Sequence, residues 1–269
     1  MIIDTHVHYN LDPLYADWQR YWKEAQAAGV SKSIVVGTDA QSNARAIEIA
    51  HQDPNLFCAV GYHPTDTPAS STHTKIQQLR TLIEHHKDSL VAIGECGLDY
   101  LHIPKDQNAE QEKHRQKLLF GEHIALAKTY DLPLIIHCRD AYDDLLDVLN
   151  HFSKSDGKTP RAVLHCMSGS IEYLNKALEL GFYISFAGNV TYKNADSIRE
   201  LARHTPHNRL LIETDAPFLA PQSKRGNINE PAYIAETSAF LADFLSMEKD
   251  LFEEITNENS MRFFGVQTT

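Results

Sequence analysis

Ile2-Ile3-Asp4-Thr5-His6-Val7-His8 decides how the rest of this chain is read. Two β-branched residues start it as they would a strand, and two histidines end it. Residues i and i+2 of a strand point to the same side, so His6 and His8 face one space. Two neutral imidazoles so placed can ligate one divalent ion. An H-x-H pair arises often by chance, and its weight here comes from what recurs further along the chain.

The same plan returns seven times. Ser33-Ile34-Val35-Val36 leads into Gly37, Phe57-Cys58-Ala59-Val60 into Gly61-Tyr62-His63, and Leu90-Val91-Ala92-Ile93 into Gly94-Glu95. Leu134-Ile135-Ile136 leads into His137, Ala162-Val163-Leu164 into His165, Phe182–Phe186 into Ala187-Gly188, and Leu210-Leu211-Ile212 into Glu213-Thr214-Asp215. Each run is short and apolar nearly throughout, as strands buried on both faces are. Between them the spacing turns helical. Ala44, Ile47 and Ala50 fit one face; Phe120, Ile124, Ala127 and Lys128 a second; Leu145, Leu146 and Leu149 a third, with Asp140 as its cap. Ile171, Leu174, Ala177 and Leu178 make a fourth, capped by Ser168 or Ser170 and stopped at Gly181. The Ser/Thr/Pro-rich stretch from Thr65 to Thr74 reads as a surface loop. Eight strands alternating with helices, at roughly 30 residues per unit, predict a (β/α)₈ TIM-type barrel spanning 1–269 as a single domain. A doubly wound open sheet fits less well, since no G-x-G-x-x-G turn follows the first strand.

In such a barrel the chemistry lies at the carboxyl ends of the strands. There this chain places His6, His8, Glu95, His137, His165 and Asp215. Four imidazoles and two carboxylates exceed what one ion needs and suit two, bridged by a carboxylate and a water. Two such ions generate hydroxide at neutral pH, and Asp215 can take the proton of that water. The expectation is therefore a metal-dependent hydrolase. His63 and Asp4 also sit at strand ends; His63 reads as structural or substrate-facing, Asp4 as a support for the His6 ring. Arg139 follows His137 closely, and Lys193 and Arg225 lie in the loops after the last two strands, where barrels commonly bind phosphate. Tyr100 is placed to stack on a base.

A net charge of −11 argues against a protein that coats nucleic acid but does not exclude a nuclease that grips it locally. Cys58, Cys96, Cys138 and Cys166 form no C-x-x-C pair and read as reduced thiols. The last three each follow a site residue, and strand alternation predicts that they face away as apolar filler. Met1-Ile2-Ile3 opens directly on a strand, so no secretory signal is expected; neither is a transmembrane helix, and a cytoplasmic location follows. No obligate protein partner is expected.

The motifs resemble those of the TatD family of metal-dependent deoxyribonucleases, within the amidohydrolase-like barrels. The matching segments are Asp4–His8, Gly61–Pro64, Ile93–Tyr100, Leu132–His137, Leu164–Ser170, Gly181–Ser185 and Glu213–Leu219. Arg225–Asn227, Asn229–Pro231 and Asn259–Gly265 extend the match over essentially the whole chain. The resemblance implies two divalent metals (Zn²⁺, Mn²⁺ or Mg²⁺) and phosphodiester hydrolysis, as a 3′–5′ exonuclease on single-stranded DNA and on RNA. It implies His6, His8 and Asp215 on one metal, His137 and His165 on the other, and Glu95 as bridge. Leu101–Lys105, Met167 and the Tyr9–Tyr15 loop depart from the family's usual residues, all where substrate could rest. The same ligands would serve an esterase or amidase on a small molecule or an aminoacyl-tRNA ester. A third reading is a non-catalytic metal-binding barrel. Lys193 and Arg225 favour phosphate over neutral amides, and the presence of both Glu95 and Asp215 favours catalysis.

Overall fold

The computed structural model describes residues 1–66 and 72–267. Each apolar run is a strand: β1 Ile2–Val7, β2 Val30–Val36, β3 Leu56–Val60, β4 Leu90–Asp99, β5 Leu134–Arg139, β6 Ala162–Leu164, β7 Tyr183–Phe186 and β8 Leu210–Ile212. They form one sheet in chain order with every neighbouring pair parallel. Parallel neighbours need a crossover, which the helices supply. These are α1 Trp18–Ala27, α2 Ala40–Ala50, α3 Thr72–His85, α4 Ala109–Tyr130, α5 Tyr142–Asp156, α6 Ile171–Glu179, α7 Asp196–His204, α8 Ile234–Phe244 and α9 Lys249–Phe264. The architecture is the predicted (β/α)₈ barrel.

The seam between β8 and β1 is closed largely by side chains. Thr5 Oγ1 donates to Ile212 O (2.8 Å), and Asp4 accepts from Thr214 N (3.0 Å) and Thr214 Oγ1 (2.6 Å). Asp4 also accepts from the His6 backbone N (3.3 Å). It thus supports the strand and the seam, not the His6 ring. Backbone bonds from Asp215 N to His6 O (2.9 Å) and from His8 N to Ala216 O (2.8 Å) complete the closure.

Alternation along the strands separates two apolar layers. Ile34, Val36, Ala59, Ala92, Ile135, Val163, Tyr183 and Leu211 fill the barrel interior, joined by Phe263, Phe264 and Val266 from the C-terminal segment. Their neighbours Val35, Cys58, Ile93, Ile136, Leu164, Ile184 and Ile212 belong to the mantle between sheet and helices. Each such side chain removed from water contributes about 1.5–3 kcal/mol. The helical faces mostly fall as expected. On α2, however, Asn43, Ala46, Ile47 and Ala50 face inward, and Ala44 is exposed. Ser170 caps α6 by accepting from Tyr173 N (3.1 Å), and Gly181 follows that helix at φ 81°. Asp140 caps nothing: it sits in the left-handed region (φ 53°), and Ala141 holds the N-cap of α5. Of the stretch read as a loop, 67–71 lie outside the described residues, and α3 already begins at Thr72. Among the described residues no helix is long and apolar enough to cross a membrane.

Candidate metal centre

Parity carries the inward layer of each strand on to the site. Inward Ile135, Val163 and Leu211 are followed two residues later by His137, His165 and Glu213, with Asp215 two further on. On β4 simple alternation would fail, because inward Ala92 predicts an outward Glu95. The pairing with β5 shifts between Ile93 and Cys96, and this shift resets the alternation. Glu95 therefore turns inward and Cys96 joins the mantle. Gly97, at φ +135°, lets β5 approach: a Cβ there would lie 2.0 Å from His137 O.

The carboxylate of Glu95 divides the histidines into two groups. Its Oε2 lies 3.4 Å from His6 Nε2 and 3.8 Å from His8 Nε2. Its Oε1 lies 2.9 Å from His165 Nε2, 3.0 Å from His137 Nδ1 and 3.5 Å from His63 Nε2. Asp215 Oδ1 stands beside the first group, 3.3 Å from His8 Nε2 and 3.7 Å from His6 Nε2. Three overlapping donor sets, His6/His8/Glu95, His6/His165/Asp215 and His63/Glu95/His137, each lie within 4.8 Å. All six predicted site residues thus meet, and His63 joins them.

Outer partners set what these rings offer inward. His8 Nδ1 donates to Val36 O (2.8 Å), His137 Nε2 to Asp99 Oδ2 (3.0 Å) and His165 Nδ1 to Glu213 Oε1 (3.2 Å). An outward N–H leaves the neutral ring with its inward lone pair available to a metal. Those lone pairs face carboxylate oxygens and one another, as in the 3.1 Å approach of His6 Nε2 to His8 Nε2. Acceptors packed so closely need positive charge between them. This donor set therefore fits a divalent cation; among the described residues His6 alone of these rings lacks an outer partner, its buried Nδ1 being unbonded and its ring stacked on His165 at 4.1 Å. Without a cation, protons take that role. Burial opposes charging His165, yet the charges of Glu95 and Glu213 hold its pKa well above the ordinary value. Burial likewise opposes Glu95 and Asp215, but His165 for the first and His8 for the second hold both carboxyls below the usual range. Metal binding must displace these protons and is linked to pH.

Asp99 and Glu213 were missed as functional positions. The available signal was spacing: Glu95, Gly97 and Asp99 share a strand face, and Glu213 lies two residues before Asp215. Asp99 also accepts from His102, at Oδ1 from the backbone N (2.9 Å) and at Oδ2 from Nδ1 (2.7 Å).

His63 is held by Thr38 and Thr65, its N donating to Thr38 O (2.8 Å) and its Nδ1 pairing with Thr65 Oγ1 (2.7 Å), while the residue before it is held by a histidine from another element. Tyr62 N donates to His123 Nε2 (3.1 Å), and His123 Nδ1 donates to Leu119 O within α4 (2.8 Å). Burial pushes His123 down to about 4 from an ordinary 6.5. Below pH 6.5 the unfolded chain takes up a proton that the folded one refuses. Stability should then fall as the pH drops from about 6.5 to 4, by up to about 3 kcal/mol for this group. Urea melts of wild type and His123→Gln across that range isolate the contribution, and equal pH slopes in the two would exclude it.

The site opens into a cavity of about 820 Å³ whose wall includes Arg139, His102, Asn189, Phe218 and Leu219. Among the described residues Lys193, Arg225 and Tyr100 do not line it. Lys193 is exposed, the Arg225 guanidinium covers the Tyr192 ring at 4.6 Å, and Tyr100 Oη donates to Asp144 (2.6 Å). Phe218 is 51% exposed there, its ring edge-on to His8 at 6.0 Å. The filler reading holds for Cys96, which is buried in the mantle, where Cys58 lies as well. Cys138 and Cys166 instead reach the cavity wall. β6 ends at Leu164, so alternation no longer governs Cys166, which adopts φ 44°. Burial pushes the Cys138 thiol up to about 12 and that of Cys166 well above its ordinary value, so both stay protonated.

The model of the family described as "TatD related DNase" matches residues 3–265. This chain belongs to the TatD family. As a TatD-family protein it is a metal-dependent hydrolase. It is 38% identical to the uncharacterized metal-dependent hydrolase YabD of Bacillus subtilis, over 99% of this chain and 100% of the relative. It is 33% identical to the 3′-5′ ssDNA/RNA exonuclease TatD of Enterobacter lignolyticus, over 90% of each chain. The crystal structure of the TatD homologue YjjV from Escherichia coli superposes with a TM-score of 0.89 at 32% identity, covering 99% of this chain and 98% of that one.

Proposed function

We propose that this TatD-family chain is a cytoplasmic deoxyribonuclease that removes nucleotides 3′ to 5′ from single-stranded DNA and also accepts RNA. The observation that carries the reading is the division of Glu95, one carboxylate oxygen toward His6 and His8, the other toward His63, His137 and His165. Two ions would fit that division. His6, His8 and Asp215 would hold one, His137 and His165 the other, with Glu95 shared. Bound Zn²⁺, Mn²⁺ or Mg²⁺ would activate water and neutralise phosphate charge. The protein's own share is to orient and to move protons. Asp99 and Glu213 fix the rings of His137 and His165. Asp215 accepts the proton of the attacking water. Arg139, on the cavity wall, meets a phosphate oxygen. Phe218, rather than Tyr100, offers the exposed aromatic surface on which a terminal base stacks. The Enterobacter relative's activity on single-stranded DNA and RNA supports the same substrate class.

The test is purified protein, stripped by chelator and restored with Mn²⁺, Zn²⁺ or Mg²⁺, on a 3′-labelled single strand. Labelled mononucleotides should appear with metal and vanish with chelator. Restored protein that cleaves neither DNA nor RNA would overturn this reading in favour of a small-molecule or aminoacyl-tRNA ester.

A further inference from the structure

Resting on that reading, we propose that His102 is the general acid that protonates the leaving oxygen. Hydrolysis of a phosphodiester breaks a phosphorus–oxygen bond and leaves an alkoxide, here the 3′-oxygen of the shortened strand. Without a proton that alkoxide is a poor leaving group, and positioned acids contribute on the order of 10²–10⁴-fold.

The cavity wall offers few candidates. Its imidazoles are His8, His63, His102, His137 and His165. Four of these have a ring nitrogen within 3.5 Å of Glu95 or Asp215 and belong to the donor cluster. His102 is the cavity-lining imidazole outside it. Arg139 keeps its proton, the hydroxyls of Thr38, Thr65 and Ser168 are too weak as acids, burial weakens the Cys138 and Cys166 thiols as acids too, and Asp39 and Asp66 accept from Ser42 N and Lys75 Nζ.

His102 is also held for the task. Its side chain is 63% exposed while that of its partner Asp99 is 1% exposed. Nδ1 donates to Asp99 Oδ2 at 2.7 Å, which leaves Nε2 as the position for a transferable proton. The same Oδ2 accepts from His137 Nε2 at 3.0 Å, so one buried oxygen ties the acid to a ring of the proposed metal centre. The carboxylate fixes the orientation of the ring, as an aspartate does for a catalytic histidine in general.

The step balances. The oxygen of a water forms a bond to phosphorus, and its proton passes to Asp215. The bond from phosphorus to the 3′-oxygen breaks, and that oxygen takes the Nε2 proton of His102. Solvent then carries the proton from Asp215 back to His102, and the net reaction consumes one water.

His102→Gln, restored with Mn²⁺, tests this with two substrates that differ in their leaving group. Thymidylyl-thymidine expels an alkoxide that needs a proton, whereas thymidine 5′-(p-nitrophenyl phosphate) expels a phenolate that does not. The variant should lose about 100-fold on the first and less than about threefold on the second. Glutamine keeps the backbone N–H of position 102 on Asp99, so the loop stays anchored; an unchanged melting temperature checks this. Equal losses on both substrates would make His102 a positioning residue acting through Asp99, and full activity on both would make it a bystander; either overturns the proposal. Wild-type protein that cleaves neither substrate overturns the nuclease reading itself, before the variant is considered.

Discussion

Asp215→Asn should lower kcat/KM on single-stranded DNA by about 10³-fold while leaving the fold intact. The choice of asparagine follows from the backbone. Asp215 sits at φ 56°, where alanine would be strained and asparagine is tolerated. Its N–H to His6 O (2.9 Å) is part of the seam closure and survives the change. The variant removes one negative charge beside His8 and His6 and the oxygen assigned to take a proton from water. A melting temperature near that of wild type, with turnover lost, is the expected pair of results. Turnover close to wild type would end the assignment of Asp215 as base and move that role to Glu95 or to solvent.

The barrel was legible because strands buried on both faces leave apolar runs, and these runs recur at the right interval. Chain order then matched strand order, since parallel neighbours joined by helices leave little freedom. That the six candidate residues would meet at one end of the barrel was legible for a narrower reason: each follows an apolar run. What escaped lay in tertiary detail. The register shift on β4 that turns Glu95 inward depends on how β5 pairs with it, which no local spacing records. The place of His63 depends on its bond to Thr38 O from the loop after β2 and on the bond from the preceding Tyr62 to His123 on α4. Tyr100, Lys193 and Arg225 were read by loop position alone, and each side chain instead points to other partners or to solvent. Phe218 gave no signal in sequence beyond being apolar, because its meaning lies in its exposure over His8.

Glu95→Gln should abolish the thermal response to metal along with activity. In wild type, a divalent ion present at 100 times its Kd adds about 2.7 kcal/mol to stability, since it binds only the folded state. For a chain of this size that corresponds to a rise of roughly 5–10 °C in Tm. Glu95 reaches both histidine groups at closest range, 2.9 Å from His165 and 3.4 Å from His6. Glutamine keeps its shape but removes the charge, and its amide turns two N–H donors toward space that a cation must share. A cation there would face the imidazoles and a single remaining carboxylate, Asp215. The rise in Tm with Mn²⁺ or Zn²⁺ should then shrink to below about 2 °C at the concentration that saturates wild type. Calorimetry of both proteins with and without metal decides the matter. Should Glu95→Gln retain the full metal-dependent rise, the shared role of Glu95 is wrong, and the ions must be held by the histidines with Asp215 alone.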